Sequence, residues 1–342
     1  MTENHMNHRT ILKWMAAGLA VMMLITTAGS AEKEKAKDAE GAVGTGQHRI
    51  ARLRTVRVAG IVLKWLPMDK EANFCRAEKM IREAVDGGAK IAVTTECFLD
   101  GFMSNNRSIP LAMFRSLAER VPGGKYCQRL SDLADELDIY LAAGLTEIDG
   151  EQIYNTTVFL GPDGSLIGRH RKEKLGHGED IRHMPGDRFT VLDTPYGRVG
   201  LRTCFERAFP KLIQQTCDAG ADFVFLVAGG VYGPSNNRVV QARARENGRY
   251  MIFVHPNQFL VVAPDGSVVK DETVGGRGTE DPKQYSNLRS QLLTPYGFAR
   301  GMVISPEQIG TKVDQNRVVF FDLPLSRKAA SAVPDKKKAG HE

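Results

Sequence analysis

Residues 55 to 98 constrain the fold more than any other part of this chain. "TVRVAGIVL" (55 to 63) alternates and is rich in β-branched residues, as a strand does. "KEANFCRAEKMIREAVDGG" then sets Phe74, Ala77, Ile81 and Val85 on one helical face and stops at paired glycines. "KIAVTTECF" follows as a second short apolar run. A strand, a helix and a strand in that order make a right-handed crossover. The two strands are then parallel neighbours in one sheet, and the helix must lie on one of its faces.

The alternation continues. A helix is expected over 124 to 137, and "IYLAAGLTEI" and "YGRVGLRTCF" read as strands. "PKLIQQTCDAG" is a helix, "ADFVFLVA" a strand, "NRVVQARARENG" a helix and "YMIFVHP" a strand. Two hairpins interrupt the parallel pattern: "YNTTVFLGPDGSLIGRHRK", turning on Pro162, Asp163 and Gly164, and a second around "APDGS" at 263 to 267. Parallel units mixed with hairpins predict sheets covered by helices on one face and by another sheet on the other. A four-layer α-β-β-α sandwich fits, and a plain doubly wound sheet is the alternative.

The ends of the chain differ in character. Arg9 and Lys13 precede the apolar run "WMAAGLAVMMLITTA", which closes on "AGSA", so residues 1–31 read as a secretory signal. Residues 32–54 read as a charged linker, 55–325 as one domain, and 326–342 as a lysine-rich tail. The expected location is therefore the periplasm or the extracellular space, and nothing after the signal is apolar enough for a membrane span.

The net charge of +6 falls to +5 without the signal's Arg9, Lys13 and Glu3, and much of the excess sits in the tail and "GRHRKEK". No basic face with interleaved aromatics emerges, so nucleic acid is not an expected partner. The five cysteines are an odd number in a domain large enough to need no staples. Cys75, Cys97, Cys127 and Cys217 fall in apolar patterns and read as buried thiols, with disulfides left open.

Three polar residues end apolar runs, where open α/β sheets place their sites: Glu96, Lys172 and Cys204. Each has a plain structural reading, as a strand-end ion pair, a solvated hairpin lysine or a core thiol. Delivered to one rim, they supply a nucleophile, a proton carrier and a fixed positive charge, the set needed to attack a carbonyl or nitrile carbon. A helix N-terminus just after Cys204 would favour its thiolate.

"TTECFLDGF", "RHRKEKL" and "GLRTCFERAFP" resemble the three motifs of the carbon-nitrogen hydrolases of the nitrilase superfamily. "YNTTVFLGPDGSLIGRHRK", "MPGDRF" and "RARENGRYM" resemble further segments of that family, in the right order over most of 55 to 275. The resemblance implies an αββα fold with Glu96 as general base, Lys172 as oxyanion stabiliser and Cys204 as nucleophile. It also implies Glu179 as the residue that orients the lysine and the incoming amide or water, and the Phe205 backbone amide as a second oxyanion donor. No cofactor and no metal are implied, and a homodimer is.

Departures from the family pattern are Thr95 in place of proline, Lys174 in place of histidine, Lys211 in place of an acid, and the absence of a tryptophan in "VAGGVYGPSNN". They fall on pocket walls and bear on substrate rather than chemistry. His170, His177 and His183 with Glu179 and Asp180 could suggest a metal site, but no HxxxH or CxxC pair supports one. "VGGRGTE" at 274 to 280 lacks the helix and acidic partner of a nucleotide loop. Glu246, on a helix that packs through Val240 and Ala244, reads as structural.

The expected function is an exported thiol amidohydrolase that cleaves a small linear amide or N-carbamoyl compound through a thioester. A nitrilase acting through the same triad is the first alternative, since Glu206 matches the acid that nitrilases carry there. A binding protein that kept the fold without turnover is the second. The loops "LDGFMSNNRSIP", "LGHGEDIRHM" and "GGVYGPSNN" would decide the substrate.

Overall fold

In a computed structural model, the described residues are 54–106, 108–176, 178–230, 232–274 and 302–326. The signal, most of the linker, the tail beyond Ser326, "GGRGTE" and His177 lie outside them. Sheet one is built from β1 (Thr55–Val62), β2 (Ile91–Val93), β3 (Tyr140–Asp149), β4 (Gln152–Leu160), β5 (Leu166–Arg171) and β12 (Arg317–Pro324). Its order is β12-β1-β2-β3-β4-β5. Sheet two contains β6 (Thr190–Thr194), β7 (Gly197–Thr203), β8 (Phe223–Val227), β9 (Tyr250–His255), β10 (Gln258–Val262) and β11 (Val268–Thr273), in the order β11-β10-β9-β8-β7-β6.

Strand alternation sorts the side chains into layers. Val56, Val58 and Val62 of β1 face sheet two, where they meet Phe225, Val254 and Phe259, while Ala59 and Ile61 face helices. Gly60 belongs to the inter-sheet layer, and a Cβ there would come within 2.1 Å of the Phe259 ring, so only glycine lets the sheets close at this point. The helices α1 (Lys70–Asp86), α2 (Leu111–Leu117) and α3 (Lys125–Glu136) follow β1 and β2. Phe74, Ala77 and Ile81 of α1 and Leu130 and Leu133 of α3 cover the outer face of sheet one. The helices α4 (Pro210–Asp218) and α5 (Pro234–Asn247) cover sheet two through Ile213, Val240 and Ala244. Each fully buried Val, Leu or Phe contributes roughly 1.5–3 kcal/mol. The four-layer α-β-β-α sandwich expected from the pattern is the fold.

Parallel pairing of β1 with β2 and β2 with β3, and of β7 with β8 and β8 with β9, points those strands' C-terminal ends one way in each sheet. β5, antiparallel to β4, which is antiparallel to β3, ends on the same side. The Glu96 amide donates to the Ala228 carbonyl at 3.2 Å, which joins the turn after β2 to the turn after β8 and brings the two rims together.

Several elements differ from the sequence reading. β6 pairs with β7 as a hairpin, and α2 and β12 are additional. β12 closes the sheet against β1 from Thr55↔Pro324 to Val62↔Arg317. All five cysteines are free, and Cys75 is exposed rather than buried, because its position on α1 falls between the apolar rows. No helix among the described residues is long and apolar enough to cross a membrane.

Candidate active site

The turn after β2 carries Glu96, fully buried beneath the rim. Gly144 of β3 makes this turn possible: a Cβ there would fall 2.5 Å from the Thr95 carbonyl oxygen and 2.9 Å from Glu96 Cα. Trp65 donates from Nε1 to the Thr95 hydroxyl at 3.0 Å, so the threonine that departs from the family pattern fixes an aromatic wall, itself stacked on Phe102. Lys172 follows β5 immediately and is buried between two carboxylates. Its Nζ donates to Glu96 Oε1 at 2.8 Å and to Glu179 Oε2 at 2.6 Å. Asn155 of β4 bridges the same pair, donating from Nδ2 at 2.7 Å to Glu96 Oε1 and at 3.2 Å to Glu179 Oε1.

Cys204 follows β7 directly with φ +44, a left-handed turn that cysteine rarely adopts. It opens a single 3₁₀ turn, Cys204–Ala208, and α4 begins only at Pro210. The expected helix N-terminus at the sulfur is therefore displaced by one turn. Cys204 Sγ and Glu96 Oε2 converge on one loop: Cβ positions on Gly230 and Gly229 would lie 3.3 Å from the sulfur and 3.2 Å from the oxygen, respectively. Glu96 Oε2 has no hydrogen-bond partner among the described residues. Arg207 reaches back over the turn, with Nη1 donating to the Cys204 carbonyl at 2.5 Å and lying 3.6 Å from Sγ.

The electrostatics follow from burial and pairing. Burial alone would lower the Lys172 amine, but Glu96 and Glu179 outweigh it and hold it well above its ordinary value. Burial pushes the Glu96 carboxyl up despite Lys172. Burial opposes Glu179 too, yet Lys172 and His183 hold it below the usual range. Burial, then Glu96, raises the Cys204 thiol, while Lys172, Arg207 and the Gly229 amide pull it down. The result is one firm cation, one firm anion, and a thiol and a carboxyl that burial biases toward their neutral forms.

The family model for carbon-nitrogen hydrolases matches residues 55–280. The chain belongs to the carbon-nitrogen hydrolase family. It is 34% identical to the omega-amidase NIT2 of Mus musculus over 257 residues, 69% of this chain and 89% of that one. It is 33% identical to a nitrilase of Pyrococcus abyssi over 198 residues, 58% and 73% of the two chains. The crystal structure of Saccharomyces cerevisiae Nit3, a member of branch 10 of the nitrilase superfamily, matches with a TM-score of 0.57 at 26% identity, covering 70% of this chain and 94% of that one. Family membership makes the protein an enzyme acting on carbon-nitrogen bonds other than peptide bonds.

All four polar side chains expected at the site of this carbon-nitrogen hydrolase, Glu96, Lys172, Glu179 and Cys204, lie at the common rim. Phe205 follows the cysteine with its ring half-exposed against Phe209. Asn155, Arg207 and the depth of Glu206 are additional to the sequence reading. Asn155 carried a signal, a polar residue on the buried phase of an alternating strand; Arg207 carried none beyond its charge. Of the three histidines, His177 lies outside the described residues; His170 bonds Glu206, and His183 sits edge-on to Phe114 at 5.5 Å. No group of three metal-ligating side chains occurs among the described residues.

Glu206 is a fully buried anion that ties the two rims. Its Oε2 accepts from the Thr203 amide at 2.6 Å and the His170 ring at 2.8 Å; its Oε1 accepts from the Glu173 amide at 2.9 Å and Arg202 at 3.3 Å. Burial opposes its charge, but His170, Arg202 and the Thr203 amide hold its pKa at about 2. A depressed carboxyl stabilises the fold above its unfolded pKa and loses that contribution as pH falls through the folded value. Glu206→Gln should therefore cost on the order of 3 kcal/mol at pH 7, and the gap from wild type should narrow between pH 4.5 and 2. Urea denaturation at pH 7 and 3.5 checks this; an equal gap at both would exclude the charge as its cause.

Proposed function

We propose that this carbon-nitrogen hydrolase is an exported amidase that cleaves a small linear amide or N-carbamoyl compound through a thioester on Cys204. The observation that carries the reading is the division of labour on Glu96. One oxygen is held by Lys172 and Asn155, while the other is left to face the loop that also receives the Cys204 sulfur. A buried carboxyl with a raised pKa, arranged in this way, can exchange a proton with the nucleophile.

The thiol proton passes to Glu96 Oε2 as sulfur bonds to the carbonyl carbon, and the carbonyl electron pair moves onto oxygen. Lys172 and the Phe205 amide stabilise that oxyanion. When it collapses, the C–N bond breaks and Glu96 returns the proton to the leaving nitrogen. Water, deprotonated by Glu96, then attacks the thioester; the acid departs and the thiol is restored. Glu179 keeps Lys172 charged and aimed. The protein supplies every group in this sequence, so no cofactor enters it.

Amide chemistry is favoured by the similarity to the omega-amidase of Mus musculus. The nitrilase reading is favoured by Glu206 and by the similarity to the Pyrococcus abyssi nitrilase. A panel of linear amides, carbamoyl amines and nitriles assayed for ammonia decides between them. Turnover of amides without nitriles is expected; turnover of nitriles alone would replace this reading. Export rests on Arg9, Lys13 and the "AGSA" site, and a mature N-terminus near residue 32 in the exported fraction is the expected mass-spectrometric result. Pairing into a homodimer rests on the family resemblance, and sedimentation would report it.

A further inference from the structure

We propose that Thr95 is a positioning residue for Glu96: by fixing the Trp65 indole it holds an aromatic wall against the carboxyl oxygen that no donor ties, and so keeps bulk water away from the proton acceptor. The inference deepens the proposed reaction and rests on Glu96 being its base. The contacts meet at Gly229. A Cβ there would lie 2.7 Å from Trp65 Cη2, 3.2 Å from Glu96 Oε2 and 3.2 Å from Phe102 Cδ2, so both rings and the oxygen converge on one point. At the next residue, Gly230, a Cβ would lie 3.3 Å from the Cys204 sulfur. The wall therefore stands one residue from the place where the nucleophile meets the same loop.

Each ring is held separately. Trp65 follows β1, its amide donating to the Met302 carbonyl at 2.8 Å and its carbonyl accepting from the Ile304 amide at 2.9 Å. Phe102 lies on the turn after β2 with φ +61, its amide donating to the Cys97 carbonyl at 3.1 Å. The rings stack at 5.3 Å and both are buried. The indole N–H needs a polar partner there, and the buried Thr95 hydroxyl accepts from it at 3.0 Å. Proline, which the family pattern has at this position, has no side-chain acceptor, so the threonine and the tryptophan form a matched pair. Burial acts most strongly on Glu96 and opposes its charge; Lys172 and Asn155 favour the charge, and Glu179 opposes it. The thiols of Cys97, on its own turn, and Cys204, after β7, both feel the Glu96 charge. Trp65, Phe102, Gly229 and Gly230 bring no titratable group, so the wall acts on Glu96 through burial alone. A wetted carboxyl is the weaker base.

The probe is iodoacetamide, with alkylation of Cys204 followed by peptide mass spectrometry as a function of pH, and melting curves to confirm folding. The acid limb of the wild-type profile reports the first proton lost by the Glu96 and Cys204 pair, and Glu96→Gln should remove that limb. Thr95→Val deletes only the acceptor and is expected to move the limb down by about one pH unit as water reaches the carboxyl. Thr95→Ser keeps the hydroxyl and should leave the limb at its wild-type position. A merely structural Thr95 would lower the melting temperature and leave the limb in place. Should Thr95→Val not fold, Trp65→Phe removes the N–H that Thr95 holds and shortens the ring at Gly229, and must move the limb the same way. An unshifted limb in folded Thr95→Val, or failing that in Trp65→Phe, overturns the inference. A limb that survives in Glu96→Gln, or a wild-type Cys204 that is never alkylated, overturns the reaction assigned to this pair, and this inference with it.

Discussion

Replacing Cys204 with alanine is expected to abolish ammonia release from every amide the wild-type enzyme turns over, a loss of at least about 10³-fold. No other thiol can take over. Cys97 is the nearest in sequence to the site, but burial, Asp100 and Glu96 push its thiol well above the ordinary range. Cys127 and Cys217 are pushed to about 11 by burial, and each sits on a helix that covers an outer sheet face. Cys75 is exposed on α1. Exposure also makes Cys75 open to alkylation, so overall thiol labelling does not identify the nucleophile; labelling must be read residue by residue. Steady-state ammonia release from Cys204→Ala and Cys204→Ser beside wild type is the measurement. Activity within tenfold of wild type in the alanine variant would remove the thioester route.

The second large effect is expected for Lys172→Met, which removes the charge shared by Glu96 and Glu179 and keeps the side chain's bulk. Truncating one partner of a buried ion pair strands the other, at a typical cost of about 3–5 kcal/mol. Here two carboxylates would be stranded, and they relieve the repulsion by taking up a proton. In the wild type the lysine pKa is raised, so its contribution is fully present below the unfolded lysine pKa and is lost only as pH rises through the higher folded value. It is therefore intact throughout the neutral range. In the variant, stability should improve as pH falls through the raised pKa of the carboxylate pair. Urea denaturation at pH 8 and pH 5 should show the larger deficit at pH 8, together with loss of turnover at both. A deficit independent of pH would mean that packing around the amine, not its charge, carries the stability.

Glu206 shows how far a residue's position in sequence leaves its role open. Two places after the cysteine it matches an acid of nitrilases, which speaks to chemistry; in the fold it is a buried anchor that accepts from groups on both sheets. A carboxylate with four donors has little freedom to transfer a proton, so the same residue that suggested a reaction class serves to hold the Lys172 and Cys204 strand ends together. Glu246 on α5 is half-exposed and paired with Arg243 at 3.1 Å.

Local pattern made the helices other than α2, both hairpins, the four layers and the three strand-end residues readable, because apolar period and turn chemistry are written in neighbouring positions. β12 was not readable: its partner β1 lies 265 residues away at the Arg57 to Asp322 contact, and nothing beside it in the chain signals pairing. The paired glycines at 229 and 230 were equally silent, since they matter only where the turns that carry Glu96 and Cys204 come together. Residue type and strand register are decided along the chain. Which oxygen of Glu96 is tied by Asn155 and Lys172, and which is left facing Gly229 beside the glycine that meets the Cys204 sulfur, are decided by the tertiary structure, because those contacts join residues dozens of positions apart through space alone.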